Sequence, residues 1–236
     1  MTIPPWWLSE LDAAPTVPFV GIVVGLVDRS VPLLHSGIVY RDSGTAPARM
    51  LHLAFHAMVR DDALADATVQ YHCSFLPIDE DRAVALAGFC RRVARRRARV
   101  PYGVVYQGGR VAEDGTVELS GQAVGLTCAT YVLAVVESGL GEGGALLDLG
   151  TWRSRTDDGP WHDHIVKLLR ERRVSNPDLI SEEHILAVAK EKGCARFRPE
   201  EVAAAAALPW PAPFAAVEPE GAAARTFLLS ARSAPA

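Results

Sequence analysis

Residues Leu126–Ser138 read Leu-Thr-Cys-Ala-Thr-Tyr-Val-Leu-Ala-Val-Val-Glu-Ser, with a charge only at Glu137. A helix apolar nearly all round has no face to offer to water, so other elements must enclose it. Gly139, Gly141, Gly143 and Gly144 end it. Upstream, the apolar pattern is that of strands. Phe19–Asp28 is a Val- and Ile-rich run, Leu33–Tyr40 a second, Met50–His56 a third, and a fourth lies within Thr68–Phe75. Asp, Ser, Gly and Pro between 41 and 49 make strands two and three a hairpin with a loose loop. The fold expected is α+β: an antiparallel sheet packed against the helix that begins at or beside Cys128, with helices added on the C-terminal side.

The period changes at Asp79. Asp79–Arg99 holds no proline and reads as a helix stopped by Pro101. Tyr102–Tyr106 reads as a short extended run and Gly108–Gly121 as a glycine-containing hairpin or loop. Further helices are expected at Asp163–Arg173, at Glu182–Lys192 with Ser181 as its cap, and at Glu200–Leu208 behind Pro199. Residues 1–150 form a core on this reading and 151–208 a helical appendage. Residues 209–236 form a Pro/Ala-rich tail, partly loose, with one candidate strand at Thr226–Leu229; residues 1–16 are an irregular lead-in.

With 236 residues, 49% of them hydrophobic, the chain can bury a core of its own, and a net charge of −4 suggests neither a nucleic-acid binder nor a membrane-surface protein. The N-terminus has no basic and apolar signal pattern. The apolar stretch Val17–Val27 is interrupted by Pro18, Gly21 and Gly25 and is too short to span a bilayer. A cytoplasmic protein with reduced thiols and no transmembrane segment is the expectation; oligomeric state is not readable. Cys73, Cys90, Cys128 and Cys194 have no metal-ligand spacing, and Asp157–Asp158 has no partner cluster, so neither metal nor cofactor is expected.

A catalytic cysteine needs a positive, partly open setting, a histidine to take its proton, and a polar group to orient that histidine. Gly125 allows a tight turn, Thr127 can cap a helix, and Cys128 then meets the free amides of the first turn. Cys90 lies within an arginine-rich helix, Cys73 in a strand and Cys194 after a helix end.

Gly125-Leu-Thr-Cys-Ala-Thr-Tyr-Val132 resembles the nucleophile helix of the NlpC-like branch of the papain superfamily, and the helix running into Pro101-Tyr-Gly resembles that superfamily's approach to it. No strand of the Gly-His-Val type follows Cys128; His162 and His164 lie in a helix start. The order of parts resembles the circularly permuted branch, which includes the lecithin:retinol acyltransferase-like proteins. Leu34-His-Ser-Gly-Ile-Val-Tyr40 is similar to its first catalytic strand and Leu51-His-Leu-Ala-Phe55 to its second. The resemblance, over residues 33–138, implies Cys128 as nucleophile, His35 as base and His52 as orienting group. Strand alternation sets His52, Ala54 and His56 on one face, so His56 competes with His52. The long inter-strand loop, the missing asparagine before the cysteine and the insertion at 108–121 depart from the pattern.

The implied chemistry is thiolate attack on a carbonyl carbon, an acyl-enzyme, and oxyanion binding by the Cys128 N–H, with Tyr102 as a further donor or simply a packed aromatic. The expected substrate is peptide-like or acylated: an amide in a peptide, peptidoglycan stem or isopeptide. Lipid acyl transfer or thioester hydrolysis is the alternative enzyme, and a catalytically inactive papain-like binding module the alternative class. Arg91, Arg92, Arg95, Arg96 and Arg99 read as a solvated helix face, and Thr151–Asp158 as a surface loop or a cleft rim.

Overall fold

The computed structural model describes residues 18–28, 32–67 and 69–230; the lead-in at 1–16 lies outside them. Five strands form one antiparallel sheet: β1 (Phe19–Asp28), β2 (Leu33–Arg41), β3 (Arg49–Phe55), β4 (Met58–Ala63) and β5 (Tyr71–Phe75), in the order β4-β3-β2-β1-β5. β1 sits between β2 and β5 and is buried on both faces over Phe19–Gly25, which is why its sequence is continuously apolar instead of alternating.

Helix α1 (Glu80–Arg96) starts where the Asp79 side chain accepts the Arg82 N–H at 2.8 Å, and stops at Arg97, whose φ is +49°. Helix α2 (Cys128–Leu140) carries a reciprocal cap: Thr127 Oγ1 accepts from the Thr130 N–H at 3.1 Å, and Thr130 Oγ1 accepts from the Thr127 N–H at 2.8 Å. Cys128 to Val136 are all buried, so the enclosure expected of this helix is met. Ile22, Val24, Leu34, Ile38, Leu51 and Leu53 form one core with α1 and α2. The opposite face of the sheet gathers Val23, Val39, Met50, Tyr71 and Cys73 in a second cluster. A ribbon of β6 (Gly109–Val111) and β7 (Val117–Leu119) occupies the expected hairpin region.

Helices α3 (Gly159–Ser175), α4 (Glu182–Lys190) and α5 (Pro199–Ala205) follow, and the Ser181 hydroxyl caps α4. Val202 to Ala206 are fully buried within the same core as α2, because alanine side chains let α5 approach closely. Beyond α5 the chain departs from expectation. Phe214–Ser230 is one helix, α6, so the tail is not loose over those residues and Thr226–Leu229 is helical, not a strand. Pro219 and Gly221 read as breakers in isolation. In the fold Gly221 is a contact: a Cβ there would lie 2.7 Å from Glu201 Cγ, so the glycine is what lets α6 pack against α5. Two further differences bear on the site. Tyr102–Tyr106 forms no strand, and β4, with the sequence Met-Val-Arg-Asp-Asp-Ala, is an edge strand the apolar pattern did not show. Among the described residues no helix is long and apolar enough to cross a membrane.

Candidate active site

β2 brings His35 into register with Gly25 of β1, and Gly25 is in register with Tyr71 of β5. Two glycines open the space these rings need. A Cβ on Gly25 would meet the Tyr71 ring at 2.8 Å, and one on Gly37 would lie 3.0 Å from the His52 Cβ. Across the first gap His35 and Tyr71 meet edge to face, and across the second His35 and His52 do.

His35 Nε2 lies 2.7 Å from His52 Nδ1, and His52 Nε2 lies 3.1 Å from Asp62 Oδ2. One end of this chain fixes all of it. Burial opposes the charge on Asp62, but the His52 hydrogen bond and the Arg60 guanidinium outweigh it and hold the carboxyl below its usual range. An ionised carboxylate can only accept, so His52 donates from Nε2 and accepts at Nδ1. His35 therefore donates from Nε2, which leaves its lone pair on Nδ1. Asp62 was not singled out from sequence, because it belongs to the charged edge strand β4.

His56 does not join the chain. It sits in the β3–β4 turn, where its Nδ1 accepts the Tyr102 N–H at 3.2 Å and its Nε2 donates to the Leu179 carbonyl at 3.2 Å. The competition between His52 and His56 thus ends in position: only His52 touches His35. Tyr102 is fastened on both sides, since His184 Nε2 donates to its carbonyl at 2.8 Å. The next turn is held by Glu191, whose carboxylate accepts the Val104 N–H at 2.6 Å. Gly125 completes this wall. Its Cα hydrogens lie so close to the 101–103 segment that a Cβ would be 2.4 Å from the Pro101 oxygen.

His35, Tyr102, Thr127, Cys128, Trp161 and Arg196 line one cavity of about 80 Å³. The β2–β3 ladder stops at Ile38–Leu51, and Cys128 at the start of α2 meets β2 at Ser36. No hydrogen bond joins Cys128 to His35. The sulfur instead faces the backbone N–H groups of Ser36 and Ala129. The Ser36 hydroxyl is also turned toward it, fully buried and short of hydrogen-bond geometry with any partner. The thiol itself departs from the sequence expectation. Burial dominates and holds its pKa above the ordinary value, against the Ser36 contacts, the Arg196 charge and the Ala129 N–H, which pull it down. Cys73 and Cys90 are buried without such donors as Ser36, and burial drives both thiols far up.

Burial also lowers His35 to about 4. His52 falls to about 4 through burial and the neighbouring His35, against the pull of Asp62. The resting site is thus a neutral thiol beside two neutral imidazoles. A depressed histidine pKa means that the unfolded chain binds the proton first, so stability is complete above pH 6.5 and declines as pH falls from 6.5 toward about 4. For His35 the loss is up to roughly 3 kcal/mol. Urea unfolding at pH 7.5 and pH 4.5 should show it, and His35→Gln should flatten the difference; equal midpoints for the native chain would contradict the assignment.

Among the described residues no group of three or more His, Cys, Asp or Glu is placed to hold a metal ion. Trp161 and Arg196 are cavity residues that sequence reasoning missed. Arg196 stands in the loop before α5 and reaches Cys128 only through tertiary packing. Compared with protein-family models, with curated proteins and with solved structures, the chain matches none.

Proposed function

We propose that the protein is a cysteine-dependent hydrolase of papain-like, permuted type that cleaves an amide bond through an acyl-enzyme. The observation that carries this reading is the His35–His52–Asp62 chain, whose last imidazole, His35, lines the same cavity as Cys128. The cysteine opens a helix whose Thr130 N–H is taken by the Thr127 cap and whose Ala129 N–H faces the sulfur, so the Cys128 N–H is the first-turn donor for an oxyanion on a carbonyl bound there. Because thiol and imidazole are both neutral at rest, His35 acts as general base during attack, not as a preformed imidazolium. His52 holds the ring and Asp62 fixes the tautomers. The resulting imidazolium protonates the leaving amine, and water releases the acyl group in a second, reversed passage.

Incubation with p-nitrophenyl acetate tests the acyl-enzyme directly. A burst of p-nitrophenol equal to one per chain is expected, with a transient acetyl group on Cys128 found by peptide mass spectrometry. Cys128→Ala should abolish the burst. An unchanged burst in that variant removes the reading. A native protein that never acylates, yet keeps its fold, would favour an inactive papain-like module. That second reading has its own support in the deep burial of the thiol, 8% exposed.

A further inference from the structure

Arg196 separates two cavities. On one side it lines the Cys128 cavity, and on the other a larger cleft of about 440 Å³ shared with Trp161, His164, Arg198, Arg225 and Asp157. Its guanidinium lies 3.6 Å from the centre of the Trp161 ring, a stacking that fixes the plane of the fork. One arm donates to Asp158 at 3.0 Å, while Nε is buried with no partner, on a residue only 9% exposed. A guanidinium left with an unmet donor at this depth is unusual, since buried charged groups are ordinarily hydrogen-bonded in full.

The surrounding charges are arranged unevenly. Asp158, Glu200 and Glu201 are almost wholly buried, and they hold Arg155, Arg196, Arg198 and Arg225 from behind. The cleft side shows three guanidiniums, His164 and a single carboxylate, that of Asp157, which Arg198 engages at 2.7 Å. Each buried carboxylate engages an arginine, with Glu200 Oε2 left without a partner, and the arginines supply most of the charge that lines the cleft.

Resting on the acyl-enzyme reading above, we infer that Arg196 is a specificity-determining residue that receives a carboxylate carried by the acyl part of the substrate, next to the bond attacked by Cys128. The small cavity admits only a short acyl stem. The rest of the substrate runs past Arg196 into the cleft, where Arg198 and Arg225 take further negative charge. Substrates would then be acidic peptides or acidic acyl amides, and neutral acyl groups would be used poorly.

Iodoacetate and iodoacetamide test this, because they alkylate the same sulfur and differ in one charge. Their rate ratio cancels the reactivity of the thiol itself. Alkylation followed by peptide mass spectrometry gives the ratio at Cys128 and, in the same tube, at the half-buried Cys194. The iodoacetate preference at Cys128 should exceed that at Cys194 by about tenfold or more, saturate with iodoacetate and be relieved by propionate. Arg196→Gln should bring the two ratios together, and Arg196→Lys should keep part of the preference. Equal ratios in the native protein, or an unchanged ratio in Arg196→Gln, overturn the proposal while leaving the iodoacetamide rate to speak for the cysteine. If neither reagent reaches Cys128, the acyl-enzyme reading is what fails. The carboxylate site is then decided by a propionate titration followed by tryptophan fluorescence. A saturable change that Trp161→Phe removes supports the site, and no change overturns it. This native-protein titration also decides the matter if Arg196 variants fail to fold.

Discussion

Replacing His35 by alanine should slow acylation of Cys128 by roughly 10²–10⁴-fold near neutral pH, the range that a positioned general base supplies. The effect should be this large because burial keeps the thiol protonated, so there is little resting thiolate to react without help. Asp62→Asn makes a sharper test. The side chain keeps its shape, but an amide can present its NH2 group to His52 and reverse every donor in the chain, which turns the His35 lone pair away from the cavity. A loss of roughly tenfold or more is expected, with the fold intact by circular dichroism. His56→Ala serves as the contrast: it should cost stability through Tyr102 and leave the chain of donors as it is. Equal acylation rates in native protein and His35→Ala would dismiss His35 as base. An effect of His56→Ala on rate as large as that of His35→Ala would send the assignment back to its starting ambiguity.

Arg155→Ala should destabilise the protein by about 3–5 kcal/mol, the cost of stripping the partner from a buried ion pair. Arg155 donates to Asp158 at 3.1 Å and to both oxygens of Glu201, and its side chain is 13% exposed against 3% for Glu201. It also donates to the Arg196 carbonyl at 2.9 Å and lies over the Phe214 ring, so one side chain binds the loop before α5 to the start of α6. Without it, Glu201 stays buried with only the Arg198 N–H at 3.1 Å. Arg155→Ala with Glu201→Gln should recover part of the loss, since the uncompensated charge is then gone. Chemical denaturation of the two variants measures this; a loss below about 1 kcal/mol in Arg155→Ala would mean that water reaches the network and screens it.

This network also shows where sequence reading runs out. Thr151–Asp158 mixes Arg, Asp and Trp, as a surface loop does, and the partners that bury it lie some forty residues further on. Local pattern carries no record of such pairing. The apolar strands and the encircled helix were legible because burial on both faces or all round leaves an unbroken apolar run in the sequence. Thr127 was legible as a cap because capping is local. His35 and His52 were legible as a pair through a resemblance in their order, and His56 was separable from His52 only once the turn after β3 was seen. Edge strand β4 was not legible: its charges keep an open sheet edge from pairing with other chains and erase the apolar alternation. Asp62 was lost with it. Arg196 left no local sign at all, since its neighbours Asp158 and Trp161 stand at the start of α3, Asp158 being 38 residues earlier in the chain.

The proton chain is built from near neighbours. His35 and His52 are 17 residues apart and His52 and Asp62 only 10, all on three consecutive strands. A meander of this kind pairs strands that are neighbours in sequence, and such local contacts form fast. Cys128 leaves the ribosome much later. On a growing chain, His35, His52 and Asp62 have the means to assemble before the sulfur exists, and the sulfur then enters a prepared slot beside β2. Nascent chains stalled before and after Cys128 would therefore differ in thiol chemistry but share a protected set of strand amides.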